Sequence, residues 1–257
     1  MNLLLVNDDS INAKGIRELA LHLSREHTVT IVAPKDEMSG VAHAFTIFTP
    51  LYADKVDIGK GITAYSVSGT PSDCVKMGVT HLCTVKPDVV ISGLNYGENA
   101  GISAFYSGTV AGAREGAMNG IRSIAISTAN FSDEAAEYAA KWLSNTLKKL
   151  ADGSFSFDGT VTFLNVNFPA CNPAEIKGSC FTAQGTTPFD DGYEKRVSPS
   201  KKEYYWLHGS KTSSTNPQID ECAILDNFVT ITPLSLDMTD KKFLDKYQKA
   251  GNGILNL

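Results

Sequence analysis

The sequence lacks several features that would assign a protein to a broad class at once. No apolar run approaches the roughly 20 residues of a membrane span, and the amino-terminal run is too short and too quickly acidic for a signal peptide. A formal net charge of -5 gives no broad positive field for a nucleic-acid duplex or an anionic membrane. The five cysteines form an odd set without a C-x-x-C pair, which favours reduced thiols over disulfides or a zinc site. We therefore expect a cytoplasmic globular protein.

The first half of the 257-residue chain alternates strand-like and helix-like segments. This rhythm predicts an α/β fold with a mostly parallel sheet and helical crossovers, which we assign to residues 1–152. The predicted strands are 2–6, 28–33, 88–93 and 122–127, with shorter candidates at 45–49 and 63–67. One predicted helix begins near Ala13 and a second near Pro71. Two further helices are predicted over 107–119 and 133–150.

Past residue 152 the pattern changes to short strand candidates separated by polar loops. The strands are predicted at 161–166, 178–183, 203–208 and 227–232, followed by a surface helix at 239–249. We interpret residues 153–257 as a smaller, hairpin-rich extension that completes the sheet and mediates oligomerisation, not necessarily as an independent domain.

A group of basic and aromatic residues in this second part has two explanations. Two basic pairs, 195–196 and 201–202, flank a predicted turn, and Tyr204, Tyr205 and Trp206 follow it. Nucleic-acid binding is one interpretation, but with only four charges a solvated hairpin or a subunit contact is favoured.

Oxygen-bearing side chains follow three of the predicted strands. Asp8 and Asp9 come directly after the first strand, Ser39 follows the second, and Asn95 follows the strand at 88–93. Because the carboxyl ends of parallel strands share one edge of a sheet, these side chains can meet in a crevice there. Two carboxylates, a hydroxyl and an amide oxygen suit a hard cation such as magnesium, manganese or calcium. Each residue taken alone is also an ordinary turn or capping residue.

The segment Ser107, Gly108 and Thr109 opens a predicted helix and has the properties of an oxyanion site. It offers free backbone N–H groups, hydroxyl donors and the positive end of the helix dipole. An ordinary helix cap is the alternative explanation. Asn99 and Ser103, in the preceding loop, are further candidates for substrate contacts.

His43 follows Ser39 closely and could donate a proton to a leaving oxygen, but an incidental role is favoured. A Ser-His-Asp triad is not indicated, because the G-x-S-x-G motif is missing.

With these motifs assembled, the chain resembles the SurE family, stationary-phase survival proteins that act as metal-dependent 5'- and 3'-nucleotidases. The motifs that carry the resemblance extend over most of the chain: Asn7–Asp9, Ser39–Val41, Gly69–Val75, Ser92–Gly101, Tyr106–Val110, Leu164–Pro169, Tyr204–Trp206 and Val229–Leu234. The chain departs from the family pattern at Ser10, where glycine is usual, at Ala44, and at Ser198–Lys201, where Ser-Pro-Arg-Gly is typical.

The resemblance implies a Rossmann-like, three-layer core whose carboxyl-terminal part exchanges elements in a homodimer or homotetramer. It implies one divalent cation per subunit, magnesium or manganese first and cobalt or calcium next, bound by Asp8, Asp9, Ser39 and Asn95. The implied substrates are nucleoside monophosphates, with polyphosphate ends as a further option. In the resulting hypothesis Asp8 or Asp9 orients or deprotonates the attacking water, and the Ser107 segment holds the phosphoryl oxygens.

Three rival functions are weighed against this hypothesis. A haloacid dehalogenase-type phosphatase needs Asp-x-Asp after the first strand, whereas here the pair is adjacent. A receiver-like signalling module also holds magnesium with paired acidic residues, but such modules are much shorter and need a phosphoacceptor aspartate after a central strand. The third rival is a nucleotide-binding protein without turnover.

Overall fold

The fold is built on a nine-stranded sheet. The computed structural model describes residues 1–212 and 214–251. Its strands are β1 (Asn2–Val6), β2 (Thr28–Pro34), β3 (Ala53–Lys55), β4 (Thr63–Val67), β5 (Val89–Tyr96), β6 (Arg122–Thr128), β7 (Thr162–Phe168), β8 (Ser179–Phe181), β9 (Phe189–Val197), β10 (Glu203–Lys211) and β11 (Val229–Ser235). Its helices are α1 (Lys14–Leu23), α2 (Pro71–Met77), α3 (Ser103–Tyr106), α4 (Gly108–Met118), α5 (Asp133–Asp152), α6 (Asp220–Leu225) and α7 (Lys241–Gly251).

The strand order is β3-β4-β2-β1-β5-β6-β7-β11-β8. The six strands from β4 to β7 in this order run parallel to one another. Strand β3 is antiparallel to its neighbour β4, and β11 is antiparallel to its neighbour β7. From β1 the chain crosses to β2 on one side, and later to β5 on the other. The loops after β1 and β5 therefore diverge, which leaves a crevice at the carboxyl ends of these two strands.

Alternating side chains of β1 divide the core between the two faces of the sheet. Leu3 and Leu5 are buried in one cluster with the apolar residues of α1 and α5, whereas Leu4 and Val6 pack on the other face with those of α2. Helix α4 covers the second face beside α2 and packs on β6 and β7. The three-layer, mostly parallel α/β fold predicted from the sequence is confirmed.

The second half of the chain contributes strands to the same sheet and one separate hairpin. Strands β7, β11 and β8 extend the sheet beyond β6, while β9 and β10 pair only with each other in an antiparallel ribbon. No helix of residues 1–212 and 214–251 is both long and apolar enough to cross a membrane.

Two expectations about strands need correction. The candidate strand at 45–49 is wrong, because this segment is irregular and β3 occupies the edge beside β4 instead. The Thr46 N–H donates to Asp73 Oδ1 at 2.9 Å, so it is not available to a strand ladder, and the Thr46 hydroxyl donates to Asp73 Oδ2 at 2.7 Å. Asn95 lies within the end of β5 and not beyond it, since pairing with β6 resumes at Asn95 after an irregularity that follows Ser92.

Candidate active site

A cleft of about 420 Å³ lies where the carboxyl ends of β1 and β5 diverge. All four predicted metal ligands line it, together with three of the five predicted substrate contacts: Asp8, Asp9, Ser39, Asn95, Asn99, Ser103 and Ser107. The structure thus brings together residues that are separated by up to about a hundred positions in the sequence, as expected for a crevice at a switch point of a parallel sheet.

Asp8 is held in the cleft wall by the start of helix α4. Only 5% of Asp8 is exposed, and its carboxylate accepts hydrogen bonds from the Thr109 hydroxyl and from the Thr109 N–H, the latter at 3.1 Å. Burial raises the pKa of Asp8, and the hydrogen bonds from Thr109 oppose this increase. Helix α4 can approach this closely because Gly108 has no side chain: a Cβ atom there would lie 2.8 Å from the Asp8 Cβ.

Asp9 has fewer hydrogen-bond partners for its carboxylate oxygens than Asp8. Its pKa is raised to about 6, first by burial and then by the negative charges of Asp8 and Glu37, while a hydrogen bond from the Tyr96 backbone opposes the increase. Its Oδ2 atom is buried and has no hydrogen-bond partner among the described residues. Such an atom is expected to have a ligand, since an unpaired buried oxygen costs free energy.

Ser39 and Asn95 complete the set of oxygen donors from two other loops. The loop that carries Ser39 is tied to the first strand by the Met38 N–H, which donates to the Asp8 carbonyl at 2.7 Å. The Ser39 hydroxyl itself donates to Glu37 Oε1 at 2.8 Å. The Asn95 Nδ2 donates to the Gly97 carbonyl at 2.6 Å, which leaves its Oδ1 as the side-chain oxygen on the cleft.

The predicted phosphate contacts divide into two groups. Ser107 is the N-cap of α4, and its Oγ accepts a hydrogen bond from the Val110 N–H at 3.1 Å, so its hydroxyl hydrogen can still donate into the cleft. Gly108 and Thr109 instead pack against Asp8 and do not line the cleft. Direct contacts of these two residues with a phosphate stay a prediction.

His43 lines a different cavity from the cleft. Its Nε2 lies 3.0 Å from Glu115 Oε2, and the Lys76 ammonium lies 3.5 Å from the other oxygen of Glu115. Burial alone would raise the pKa of Glu115, but the hydrogen bond with His43 and the charge of Lys76 outweigh it and lower the pKa. His43 therefore connects the loop after β2 to helix α4, at a distance from the carboxylates of the cleft.

Several residues of the cleft were missed by the sequence interpretation. Glu37, Tyr96, Glu98, Tyr106 and Phe189 also line it. Glu37 lies two positions before Ser39 and could have been found by its spacing. Phe189 belongs to the β9–β10 hairpin, and nothing in its sequence neighbourhood connects it with the loops of the first half.

The charge of the cleft fits a bound cation. Of the described residues that line it, four are acidic, Asp8, Asp9, Glu37 and Glu98, and none is basic. The described residues contain no cluster of three or more His, Cys, Asp or Glu side chains that could hold a metal, so the donor set is mixed: two carboxylates, a hydroxyl and an amide. Such an all-oxygen set suits magnesium, manganese or calcium better than zinc or copper.

The backbone conformation of Ser10 explains why glycine is usual at this position in the family. Ser10, where glycine is usual, has a φ of 82°, a left-handed conformation that glycine adopts without steric cost. The turn is held by Asn7, whose Nδ2 donates to the Ser10 carbonyl at 2.8 Å.

Comparisons with known proteins agree with this arrangement. The family model "Survival protein SurE" matches residues 3–191. The chain is 43% identical over 250 residues to the 5'-nucleotidase SurE of Thermosipho africanus, with 97% of each chain covered, and 42% identical over 252 residues to that of Fervidobacterium nodosum, with 96% of each covered. The crystal structure of the SurE protein from Aquifex aeolicus superposes with a TM-score of 0.80 at 34% identity, covering 97% of this chain and 99% of that one. The chain therefore belongs to the SurE family.

Proposed function

We propose that this protein is a 5'-nucleotidase, a metal-dependent phosphomonoesterase that releases phosphate from nucleoside 5'-monophosphates. The observation that carries the proposal is a polar cleft with four acidic side chains and no basic one at the switch point of the sheet. Such a cleft repels a phosphate dianion unless a cation is bound. The similarity to proteins named 5'-nucleotidase SurE supports the same activity. The family resemblance extends the proposal to 3'-monophosphates and polyphosphate ends as further substrates.

The residues that would hold the cation are Asp8, Asp9, Ser39 and Asn95. The unpartnered, buried Oδ2 of Asp9 supports this assignment. A divalent ion bound there supplies positive charge for the phosphoryl oxygens and lowers the pKa of a water molecule. We favour one magnesium or manganese ion per subunit, with cobalt or calcium as substitutes, because the donors are all oxygen atoms.

The side chains around the cation have separate tasks in this proposal. Asp9, the carboxylate with an unpartnered buried oxygen, is placed to orient or deprotonate the attacking water. Asp8 is fixed by Thr109 and keeps its orientation. Ser107, Asn99 and Ser103 offer hydroxyl and amide donors to the other phosphoryl oxygens, where charge builds in the transition state.

The assembly and location of the protein belong to the same proposal. The hairpin exposes apolar side chains on both faces, Tyr193, Tyr205 and Leu207 on one and Trp206 on the other, and we assign these faces to contacts within a homodimer or homotetramer. Residues 153–257 would then form the oligomerisation part, attached to the core at 1–152. All five cysteines are free thiols, which supports a location in the cytoplasm.

A phosphate-release panel tests the activity. Metal-stripped protein is assayed with nucleoside 5'- and 3'-monophosphates and short polyphosphate, with magnesium, manganese, cobalt or calcium added separately. We expect phosphate release that requires the cation. Intact mass after the reaction should show no retained phosphate, whereas a stable phosphorylated aspartate would favour the dehalogenase-type or receiver-like rival, and binding without release would favour the third.

The decisive variant is Asp9→Asn. We expect it to lower kcat by at least about 100-fold, because it removes a carboxylate that would hold the cation and orient or deprotonate the attacking water. Asp54→Asn, in the exposed edge strand β3, is the matched control and should keep wild-type activity. Near wild-type turnover of Asp9→Asn would contradict the proposal.

A further inference from the structure

The wall of the cleft formed by residues 97–101 is held in place by the second half of the chain. The Asn99 N–H donates to Asn167 Oδ1 at 2.7 Å, and the Asn99 carbonyl accepts from Asn165 Nδ2 at 2.8 Å. Both partners are fully buried side chains of β7. The backbone of the loop is therefore satisfied by a strand that lies about 70 positions further along the chain.

A buried carboxylate fixes the end of the same loop. Asp220, fully buried at the start of α6, accepts hydrogen bonds from the N–H groups of Gly101, Gly185 and Glu221 at 2.9, 2.8 and 2.9 Å. The Gly101 carbonyl accepts from Gln184 Nε2 at 2.9 Å. These contacts satisfy both backbone groups of Gly101, and they leave the neighbouring Glu221 carboxylate to be compensated by another group.

That group is Lys211, which joins three elements with one ammonium. Its Nζ donates to the Ala100 carbonyl at 2.9 Å and to Glu98 Oε1 at 3.0 Å, and it lies 3.4 Å from Glu221 Oε1. Only 20% of the Lys211 side chain is exposed, and the Glu221 oxygens have no hydrogen-bond partner among the described residues. The ion pairs are thus partly buried, where charges interact more strongly than at a free surface.

The position of Lys211 connects the hairpin with the cleft. Lys211 is the last residue of β10 and pairs with Phe189, the first residue of β9. Phe189 lines the cleft, as does Glu98. The Phe189–Lys211 pair of the hairpin therefore contributes an aromatic ring to the lining of the cleft and an ammonium that binds Glu98 of the same lining.

We propose that Lys211 is a positioning residue that offsets the charge of Glu98, which it shares with Glu221, and fixes the 97–101 wall, so that an anionic substrate can enter the cleft. Without Lys211, Glu98 adds its full charge to those of Asp8, Asp9 and Glu37. The inference rests on the proposed function in that the substrate is a phosphate ester. It adds a cationic group from the hairpin, outside the cleft lining, that sets the affinity for this substrate.

The charge argument gives the expected size of the effect. Coulomb's law at the dielectric constant of water gives roughly one decade in affinity for one extra negative charge about 6 Å from a dianion. Lys211→Met should therefore raise KM about tenfold while kcat changes little. Because salt screens such interactions, the increase should shrink at high ionic strength.

The experiment measures kcat and KM for adenosine 5'-monophosphate and p-nitrophenyl phosphate with magnesium, at low and high salt. Lys211→Arg keeps the charge and should keep a low KM. Glu98→Gln added to Lys211→Met should lower KM again, because it removes the uncompensated charge that lines the cleft, whereas Glu221 lies outside the lining; a purely structural role of Lys211 would not produce this rescue. Lys195→Met is the control, since it removes one charge from an exposed ion pair with Glu203 on the same hairpin.

An unchanged KM in Lys211→Met, or a raised KM that Glu98→Gln does not restore, would overturn the inference. A wild-type protein that hydrolyses neither substrate would instead reject the proposed function. Hydrogen exchange of the peptide covering 97–101 then tests the positioning part by itself: faster exchange in Lys211→Met than in Lys195→Met supports it, and equal exchange rejects it.

Discussion

The cleft at the ends of β1 and β5 and the β9–β10 hairpin are opposite in burial. Asp8, Ser107 and Thr109 are buried polar residues with defined hydrogen-bond partners, whereas almost every residue of the hairpin is at least partly exposed. A buried polar group tolerates little change, because its partners cannot be replaced by water. The hairpin beyond its Phe189–Lys211 end, in contrast, is expected to tolerate changes in its own subunit, and it exposes apolar side chains that a second subunit can cover. The cleft is thus held by contacts within one subunit, whereas the exposed side chains of the β9–β10 hairpin are expected to contact a second subunit.

Alanine at two glycines gives the sharpest test of this difference. At Gly108 a Cβ atom would lie 2.8 Å from Asp8 Cβ and 3.0 Å from its Oδ2, whereas at Gly192 in β9 the nearest atom is 4.0 Å away. We expect Gly108→Ala to lower the free energy of unfolding by about 1–3 kcal/mol and to lower kcat/KM at least tenfold. Gly192→Ala should change stability by no more than about 0.5 kcal/mol.

Urea unfolding and steady-state kinetics measure both effects. Alanine is a better helix former than glycine by up to about 1 kcal/mol, so a loss at Gly108 reports the contact with Asp8 and not helix propensity. If both variants behave like the wild type, the close approach of α4 to the carboxylate has no functional importance.

The cleft and the hairpin also differ in the direction in which the pKa values of their carboxyl groups are shifted. The pKa of Asp9 is raised to about 6, mainly by burial, whereas the pKa of Glu194 on the hairpin is lowered by its hydrogen bond with Arg196. Because a folded-state pKa above the unfolded value penalises the charged form, ionised Asp9 costs stability above pH 6, and this cost disappears below its ordinary value of 3.8. A cation that binds the carboxylate removes the cost, so its apparent affinity should fall up to about tenfold per pH unit below pH 6.

Thermal melting at pH 5.0, 6.0 and 7.5, with and without magnesium, measures this dependence. The increase in Tm caused by magnesium should grow with pH in the wild type. In Asp9→Asn the increase should be small and almost independent of pH. An increase in the wild type that is equal at all three pH values would argue against Asp9 as a ligand.

The smallest effect on the subunit itself is expected for the exposed face of the hairpin. Tyr193 and Leu207 are opposite each other across the ribbon and are largely exposed. Changing both to serine should leave the free energy of unfolding of the subunit within about 0.5 kcal/mol of the wild type, yet lower the molar mass in solution. Light scattering measures the mass, and Val85→Ser, at an exposed apolar residue outside the hairpin, is the control. An unchanged mass would remove the hairpin from the proposed interface.

Much of the core could be predicted because its signals are local. The apolar run before Asp8 is a buried strand, the Pro71 segment begins a helix with a capping box at Thr70, and the strands at 28–33, 88–93 and 122–127 all exist within a few residues of the predicted bounds. The error at 45–49 has a tertiary cause. Its content of aromatic and β-branched residues is typical of a strand, but the Asp73 carboxylate accepts the Thr46 N–H that a strand would need.

The sequence by itself determined that Asp8, Asp9, Ser39 and Asn95 lie at or near the carboxyl ends of strands, because the order of side chains along the chain is local, and the alternation of strands and helices predicted that these ends share one edge. Only the tertiary structure decided that Thr109 binds Asp8, that β7 and Asp220 hold the 97–101 wall, and that Phe189 and Lys211 reach the cleft from the hairpin. The hydrogen bonds among them join residues about 70 to 120 positions apart, and buried polar groups find such partners only when the whole sheet has assembled.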